Sequence, residues 1–167
     1  MVDLAGGEGR NALWFAQRGW QVENVEISQV ALGKFLKRAE HVGLVEDCFA
    51  THADALSAEF TLQADLLVVA YLQLPAVSLA KALDNARDQL ASDAMVFGVW
   101  HAKRNLTEGF GGPPMPEVLP SPDELEMWAK QNLVNYEVFE LERVVEKEGS
   151  KHVAIDVILK GQLAKSQ

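Results

Sequence analysis

Cysteine occurs once in 167 residues, as Cys48. No internal disulfide framework can therefore brace the fold, and a reducing, cytoplasmic setting is expected. Cys48 falls within an expected strand and reads as a small buried hydrophobe rather than a reactive thiol. Long apolar runs are missing: none approaches the roughly 20 residues of a membrane helix, which excludes a helical span. A signal peptide is not expected, because Asp3 and a glycine-rich stretch follow Met1 almost at once. Positive charge is scarce as well. Lys and Arg total 15 against 24 Asp and Glu, a net charge of −9. Sequence-independent nucleic-acid binding needs concentrated basic side chains, so this balance argues against nucleic-acid partners. The densest basic stretch, Lys34, Lys37 and Arg38, has the spacing of one solvated helix face. Repeats and low-complexity tracts are also lacking.

What remains is a chain of single-domain size, residues 1–167, with 49% apolar residues and so enough to bury a sizeable core. Its composition points to small-molecule ligands. The histidines offer no metal motif: His41, His52 and His152 fall at a helix end and in two strands without ligand spacing. No Ser-His-Asp order stands out, which leaves a hydrolase without support. Trp14, Trp20, Trp100 and Trp128 read as packing residues rather than a substrate cage.

The organising stretch is Val2-Asp3-Leu4-Ala5-Gly6-Gly7-Glu8-Gly9-Arg10-Asn11-Ala12-Leu13. A short apolar strand carries a carboxylate, a glycine-rich turn follows, and a helix begins. Backbone without side chains can turn sharply there and let a ligand approach. The helix start beyond it offers unpaired N–H groups to an anionic group. A second strand over residues 22–27 carries Glu26 near its end, where a carboxylate can accept hydrogen bonds from both hydroxyls of a ribose. Together these features point to a nucleoside-containing cofactor across the first strand–helix–strand unit.

Further elements follow in alternation. The first helix spans residues 10–18 and stops at Gly19. Ser28 caps a second helix with Val30, Ala31, Phe35, Leu36 and Ala39 on its inner side. A third strand lies within residues 45–52, and residues 64–72 form a continuous apolar strand typical of a parallel sheet covered on both faces. Pro75 opens a third helix with Val77, Leu79, Ala80, Leu83, Ala86 and Leu90 at core spacing. Residues 94–100 form a fifth strand. Residues 103–120 hold too many glycines and prolines for a regular element. Ser121-Pro122-Asp123-Glu124 then starts a helix through a capping box, continued by Leu125, Met127 and Trp128. Strands over residues 135–145 and 152–160, joined by a turn at 146–150, close the chain as an antiparallel hairpin.

This pattern resembles the class I S-adenosylmethionine-dependent methyltransferases, and within them the tellurite-resistance (TehB-like) small-molecule branch. Family members read D-x-G-x-G-x-G after strand one, here Asp3-Leu4-Ala5-Gly6-Gly7-Glu8-Gly9, with Ala5 replacing the first glycine. Gly6-Gly7-Glu8-Gly9-Arg10-Asn11-Ala12 and Asn105-Leu106-Thr107-Glu108-Gly109-Phe110-Gly111-Gly112-Pro113 look like the narrower branch. The resemblance implies an α/β, Rossmann-like seven-stranded, mostly parallel sheet in the order 3-2-1-4-5-7-6, strand 7 antiparallel, with helices on both faces. It implies S-adenosylmethionine as cofactor and a small-molecule methyl acceptor: a thiol, a metalloid oxyanion or another metabolite. Asp3, Gly6, Gly7 and Gly9 would serve the cofactor, Asp3 by facing its ammonium group. Glu26 would hold the ribose, Ile27 would pack beside adenine, and Asp54-Ala55 would recognise it. Ala70 and Tyr71, with Leu72, would line the cofactor and the reacting methyl. The family usually carries a helical segment of a few tens of residues before strand one, whereas here strand one begins at residue 1, as expected either of a shortened chain or of a protein without part of its lid.

Several positions carry two readings. Asp54 fits adenine recognition or a turn closed on its own backbone. Arg10 could pair with the cofactor carboxylate or be a surface charge, and Asn11 is equally ambiguous. Phe110, Gly111 and Gly112 form a lid over the substrate or a plain connection. His101, at the end of strand five, is either a general base or a structural histidine. Gly7-Glu8-Gly9-Arg10-Asn11-Ala12 also satisfies the dinucleotide pattern, which makes an NAD-dependent oxidoreductase an alternative. Asp3, the terminal hairpin and the absence of a second substrate domain favour the methyltransferase. The missing leading segment motivates a further alternative, a cofactor-binding or oligomerising protein without transferase activity. An uncovered sheet end at Met1 could favour a partner chain, as in a homodimer.

Overall fold

The computed structural model describes residues 1–164. In chain order the elements are β1 (Val2–Leu4), α1 (Arg10–Ala16), β2 (Val22–Glu26), α2 (Gln29–His41), β3 (Cys48–His52), β4 (Leu66–Ala70) and α3 (Ala76–Arg87). They continue with β5 (Met95–His101), α4 (Asn105–Glu108), α5 (Pro122–Asn132), β6 (Leu133–Lys147) and β7 (Ser150–Leu163). The strands form one seven-stranded sheet in the order β3-β2-β1-β4-β5-β7-β6, the order expected from the sequence. β1 to β5 are parallel, and β7 runs antiparallel to both β5 and β6.

Alternation along each strand sends successive side chains to opposite faces. On one face Leu4, Val25, Leu67, Val69, Val96 and Trp100 pack with α3 and α5 through Leu79, Leu83, Leu125 and Trp128. On the other, Val22 and Val68 meet α1 and α2 through Ala12, Ala16, Phe35 and Ala39, with Cys48 buried among them. Among the described residues, no helix covers this second face beyond β4. Phe97, Phe139 and Leu141 there are 38%, 37% and 50% exposed. No helix of the described residues is long and apolar enough to cross a membrane.

The helix phases correct the sequence reading. α2 buries Leu32, Phe35 and Ala39, while Val30 and Leu36, expected inside, are exposed. Phe35 sets this phase: its ring fills the space over Gly9, where a Cβ would come within 2.1 Å of it. Val77, expected at core spacing, is likewise exposed rather than packed inward. It lies in the first turn of α3, where Leu79 makes the core contact instead. Trp100 and Trp128 are core residues, but Trp14 and Trp20 remain half exposed, Trp14 lying under the Arg18 guanidinium.

Residues 103–120 are more ordered than their glycines and prolines suggest, since α4 and a 3-10 turn at Pro116–Val118 lie within them. Ser121 and Glu124 form the expected capping box. The terminal hairpin is longer than the sequence pattern marks. Its turn contracts to Glu148-Gly149, both at positive φ (52° and 77°), the geometry whose twist matches paired strands. The connection from β3 to β4 is anchored by a carboxylate the sequence reading missed. Glu23 is fully buried and accepts hydrogen bonds from Thr61 N, Leu62 N and the Thr51 hydroxyl.

Candidate functional site

The turn after β1 winds through left-handed backbone at Ala5, Gly7 and Gly9, with φ of 56°, 57° and 72°. Ala5, which replaces the motif's first glycine, holds this conformation at a cost of about 1–2 kcal/mol. Gly6 is required for closeness. A Cβ there would lie 2.2 Å from Asn24 Oδ1 and 2.6 Å from the Asp3 carboxyl. Asn24 Nδ2 donates to Gly7 O at 2.9 Å and ties the turn to β2. Asp3 is fully buried beneath the turn, where Oδ2 accepts from Ala12 N at 3.1 Å and Oδ1 has no partner. Burial pushes its carboxyl up to about 6, against the opposing hydrogen bonds from Ala12 and Asn11.

Two clefts flank this turn at the carboxyl edge of the sheet and share Ala5. The first, of about 370 Å³, is lined by Gly6, Gly7, Arg10, Asn11, Arg38 and Ala70. The second, of about 210 Å³, is lined mainly by apolar side chains, among them Val25, Ile27, Ala55 and Leu72, with Glu26 and Asp54 at its rim. Ile27 is 65% exposed beside this cleft, an apolar surface that a flat ring could cover. Glu26 accepts from Gly7 N at 3.0 Å through Oε2 and from Ser28 N at 2.9 Å through Oε1. Each oxygen keeps a lone pair for another donor. Asp54 Oδ1 accepts from Leu56 N at 2.9 Å, a turn closed on its own backbone, and the residue is exposed. Trp100 Nε1 donates to Leu72 O at 3.0 Å and fixes the inner wall. Another cavity, of about 320 Å³ by Met1, Trp20 and Asp65, opens at the opposite edge of the sheet.

Beyond the first cleft the chain passes from Ala70 to Tyr71, which sits in left-handed backbone at φ 61°. Its hydroxyl donates to Asp156 Oδ2 at 3.0 Å, and its ring lies 4.9 Å from that of His101. Arg143 Nε donates to the same oxygen at 2.9 Å. His101 Nδ1 stands 3.1 Å from Asp156 Oδ1, off the line of a hydrogen bond. Burial, then the Asp156 charge, raises the Tyr71 phenol, which therefore stays protonated as a donor. The hydrogen bond to Asp156 raises the Arg143 guanidinium.

The segment expected as a lid divides. Gly112, at φ 79°, lies against His101, where a Cβ would come within 2.9 Å of the ring. Gly111 O accepts from buried Asn105 Nδ2 at 2.8 Å, and Asn105 Oδ1 accepts from Ile155 N at 2.7 Å. Phe110 points elsewhere: it stacks on His152 of the hairpin at 3.9 Å between centroids.

Sequence reasoning missed Asn24, Arg38, Asn105, Arg143 and Asp156. Lys34, Lys37 and Arg38 lie on an exposed face of α2 as expected, and Lys34 and Arg38 also bridge to Glu8 of the glycine turn. For Asp156 a signal was present: one carboxylate interrupts the apolar run from Val153 to Leu159, and such a charge is buried only when paired.

The topology and the cleft pair define a class. This is the fold of S-adenosylmethionine-dependent methyltransferases, with ligand space at the carboxyl edge beside the first glycine turn. Among solved structures the chain is similar to a SAM-dependent methyltransferase from Aquifex aeolicus, at 15% identity and TM-score 0.69, covering 98% of this chain and 81% of that one. It is also similar to the glycopeptide N-methyltransferase MtfA solved with S-adenosylmethionine, at 14% identity, TM-score 0.67 and coverage of 98% and 86%. TehB from Haemophilus influenzae matches at 16% identity and TM-score 0.73, over 98% of this chain and 57% of that one. At these identities the likeness is one of fold. No protein-family model matches the sequence, and no curated protein matches it.

Proposed function

We propose that the chain binds S-adenosylmethionine across the two clefts and directs its methyl group to a small-molecule acceptor. The observation that carries this reading is the pair of clefts joined at Ala5, one polar along the glycine turn and one apolar with Glu26 at its rim. A nucleoside joined to a charged amino-acid chain has that same division. The free lone pairs of Glu26 would accept from the ribose hydroxyls, while Ile27 and Ala55 would cover the base. Asn11 and Arg10 would meet the amino-acid end with the turn's backbone, and the unpartnered Oδ1 of Asp3 fits a buried ammonium. When bound, the cofactor supplies an activated methyl on sulfur. The chain's own residues then have to hold donor and acceptor in line and exclude water. Ala70, which lines the first cleft, and Tyr71, which follows it, would border that alignment. The TehB-like resemblance adds thiols and metalloid oxyanions to the candidate acceptors.

Glu26→Ala tests the assignment. Loss of hydrogen bonds to a charged acceptor should weaken S-adenosylmethionine affinity at least about tenfold, measured by calorimetric titration. Unchanged affinity would refute the ribose role.

A further inference from the structure

Three side chains converge on one carboxylate that the cofactor reading does not use. Asp156 is 2% exposed within the apolar middle of β7. A carboxylate so buried needs a partner, and Arg143 alone, at 2.9 Å, would satisfy that need. The remaining geometry goes beyond a structural ion pair. Oδ1, the oxygen Arg143 does not use, faces His101 Nδ1 at 3.1 Å. Tyr71 adopts left-handed backbone, rare for an aromatic residue, and bonds Oδ2. Its ring flanks the imidazole, and Gly112 presses against it with no room for a side chain. The imidazole is thus packed by Tyr71 and Gly112 with Asp156 Oδ1 beside Nδ1, and among the described residues no group hydrogen-bonds Nε2.

The imidazole also stands at the right place. Tyr71 directly follows Ala70, which lines the first cleft. Beside the cluster, on the same sheet face, Leu141 pairs with Asp156 and Phe139 with Ile158, leaving an exposed floor that is apolar apart from Lys160 Nζ, 5.8 Å from the centre of the Phe139 ring. Such a floor suits a planar, uncharged acceptor better than a hydrated oxyanion.

We infer that Asp156 is the positioning residue for His101, and that His101 Nε2 takes the proton of a phenolic hydroxyl as that oxygen is methylated. This rests on the methyl-transfer reading above. Nδ1 stands 3.1 Å from Asp156 Oδ1 but off hydrogen-bond alignment; a small rotation of the ring would let Nδ1–H donate to Asp156 and leave Nε2 as the acceptor nitrogen. The contact tightens when substrate binds, as such bonds do in catalytic sites. As the acceptor oxygen bonds to the methyl carbon, its proton passes to Nε2 and the electron pair of the broken carbon–sulfur bond stays on sulfur. The imidazolium later returns its proton to water.

The test compares wild type, His101→Gln and Asp156→Asn with S-adenosylmethionine and four acceptors: 4-methylphenol, 4-nitrophenol, 2-mercaptoethanol and tellurite. Wild type should methylate the phenols. Both variants should lower kcat on 4-methylphenol by roughly 10²–10⁴-fold, with KM and S-adenosylmethionine affinity held within about twofold. The loss should be far smaller on 4-nitrophenol, whose oxygen is largely ionised in mildly alkaline assay buffer, where 4-methylphenol stays protonated. Equal losses on both phenols, or full activity in Asp156→Asn, would overturn the inference, as would transfer to the thiol or tellurite alone. S-adenosylmethionine binding without transfer to any of the four would overturn it while leaving the cofactor reading intact. Failure of wild type to bind S-adenosylmethionine would instead remove the methyl-transfer reading itself.

Discussion

At the residue scale, two buried carboxylates on neighbouring strands behave in opposite ways. Glu23 is matched by donors from Thr51, Thr61 and Leu62, whereas Asp3 keeps one oxygen without a partner. Glu23→Ala strands those donors and unfastens the segment before β4, so it should cost about 3 kcal/mol or more in urea unfolding. A loss below about 1 kcal/mol would contradict the anchoring role. For Asp3 the folded carboxyl, raised from 3.8 to about 6, holds its proton more tightly than the unfolded one. Its contribution to stability is therefore full below about pH 4 and is lost as pH rises through about 6, by roughly 3 kcal/mol. Asp3→Asn removes that titration. Its stability relative to wild type should improve by a similar amount between about pH 4 and about pH 7, and a pH-independent difference would refute the burial argument. Neither environment was legible in the sequence, because Glu23 and Asp3 look alike until the strands are paired.

At the element scale, strands and caps were easier to read than helix phases. The sequence carries the glycine turn, the Ser28 and Ser121 caps and the hairpin as local chemistry, and the structure has each of them. Which face α2 turns inward depends on Phe35 meeting Gly9 across the fold, and no local pattern records that contact. Gly9 also caps α1 in left-handed backbone. Gly9→Ala therefore combines strain with a clash against a buried ring and should destabilise by about 2 kcal/mol or more. A stability change within about 0.5 kcal/mol would show that Phe35 can shift at little cost. The segment at residues 103–120 was underread for the converse reason: its order comes from Asn105 bonding Gly111 and Ile155, neighbours that its own glycines and prolines do not announce.

At the scale of the whole molecule, alternating strands and helices plus one closing hairpin pointed to a parallel sheet with an antiparallel edge, and the strand order came from the family resemblance. The cofactor side of the candidate site was legible because strand end, glycine turn and acidic strand tip lie close together in the chain. The Asp156 cluster was not, since the residue after β4 and one residue each from β5, β6 and β7 make it up. Fold alone does not determine chemistry on a scaffold used so widely, so the central claim rests on what fills the two clefts. Calorimetric titration of the chain with S-adenosylmethionine, S-adenosylhomocysteine and NAD tests it most directly. Saturable binding of both sulfur compounds without NAD is the predicted result. Binding of NAD alone, or of none of the three, would contradict the account.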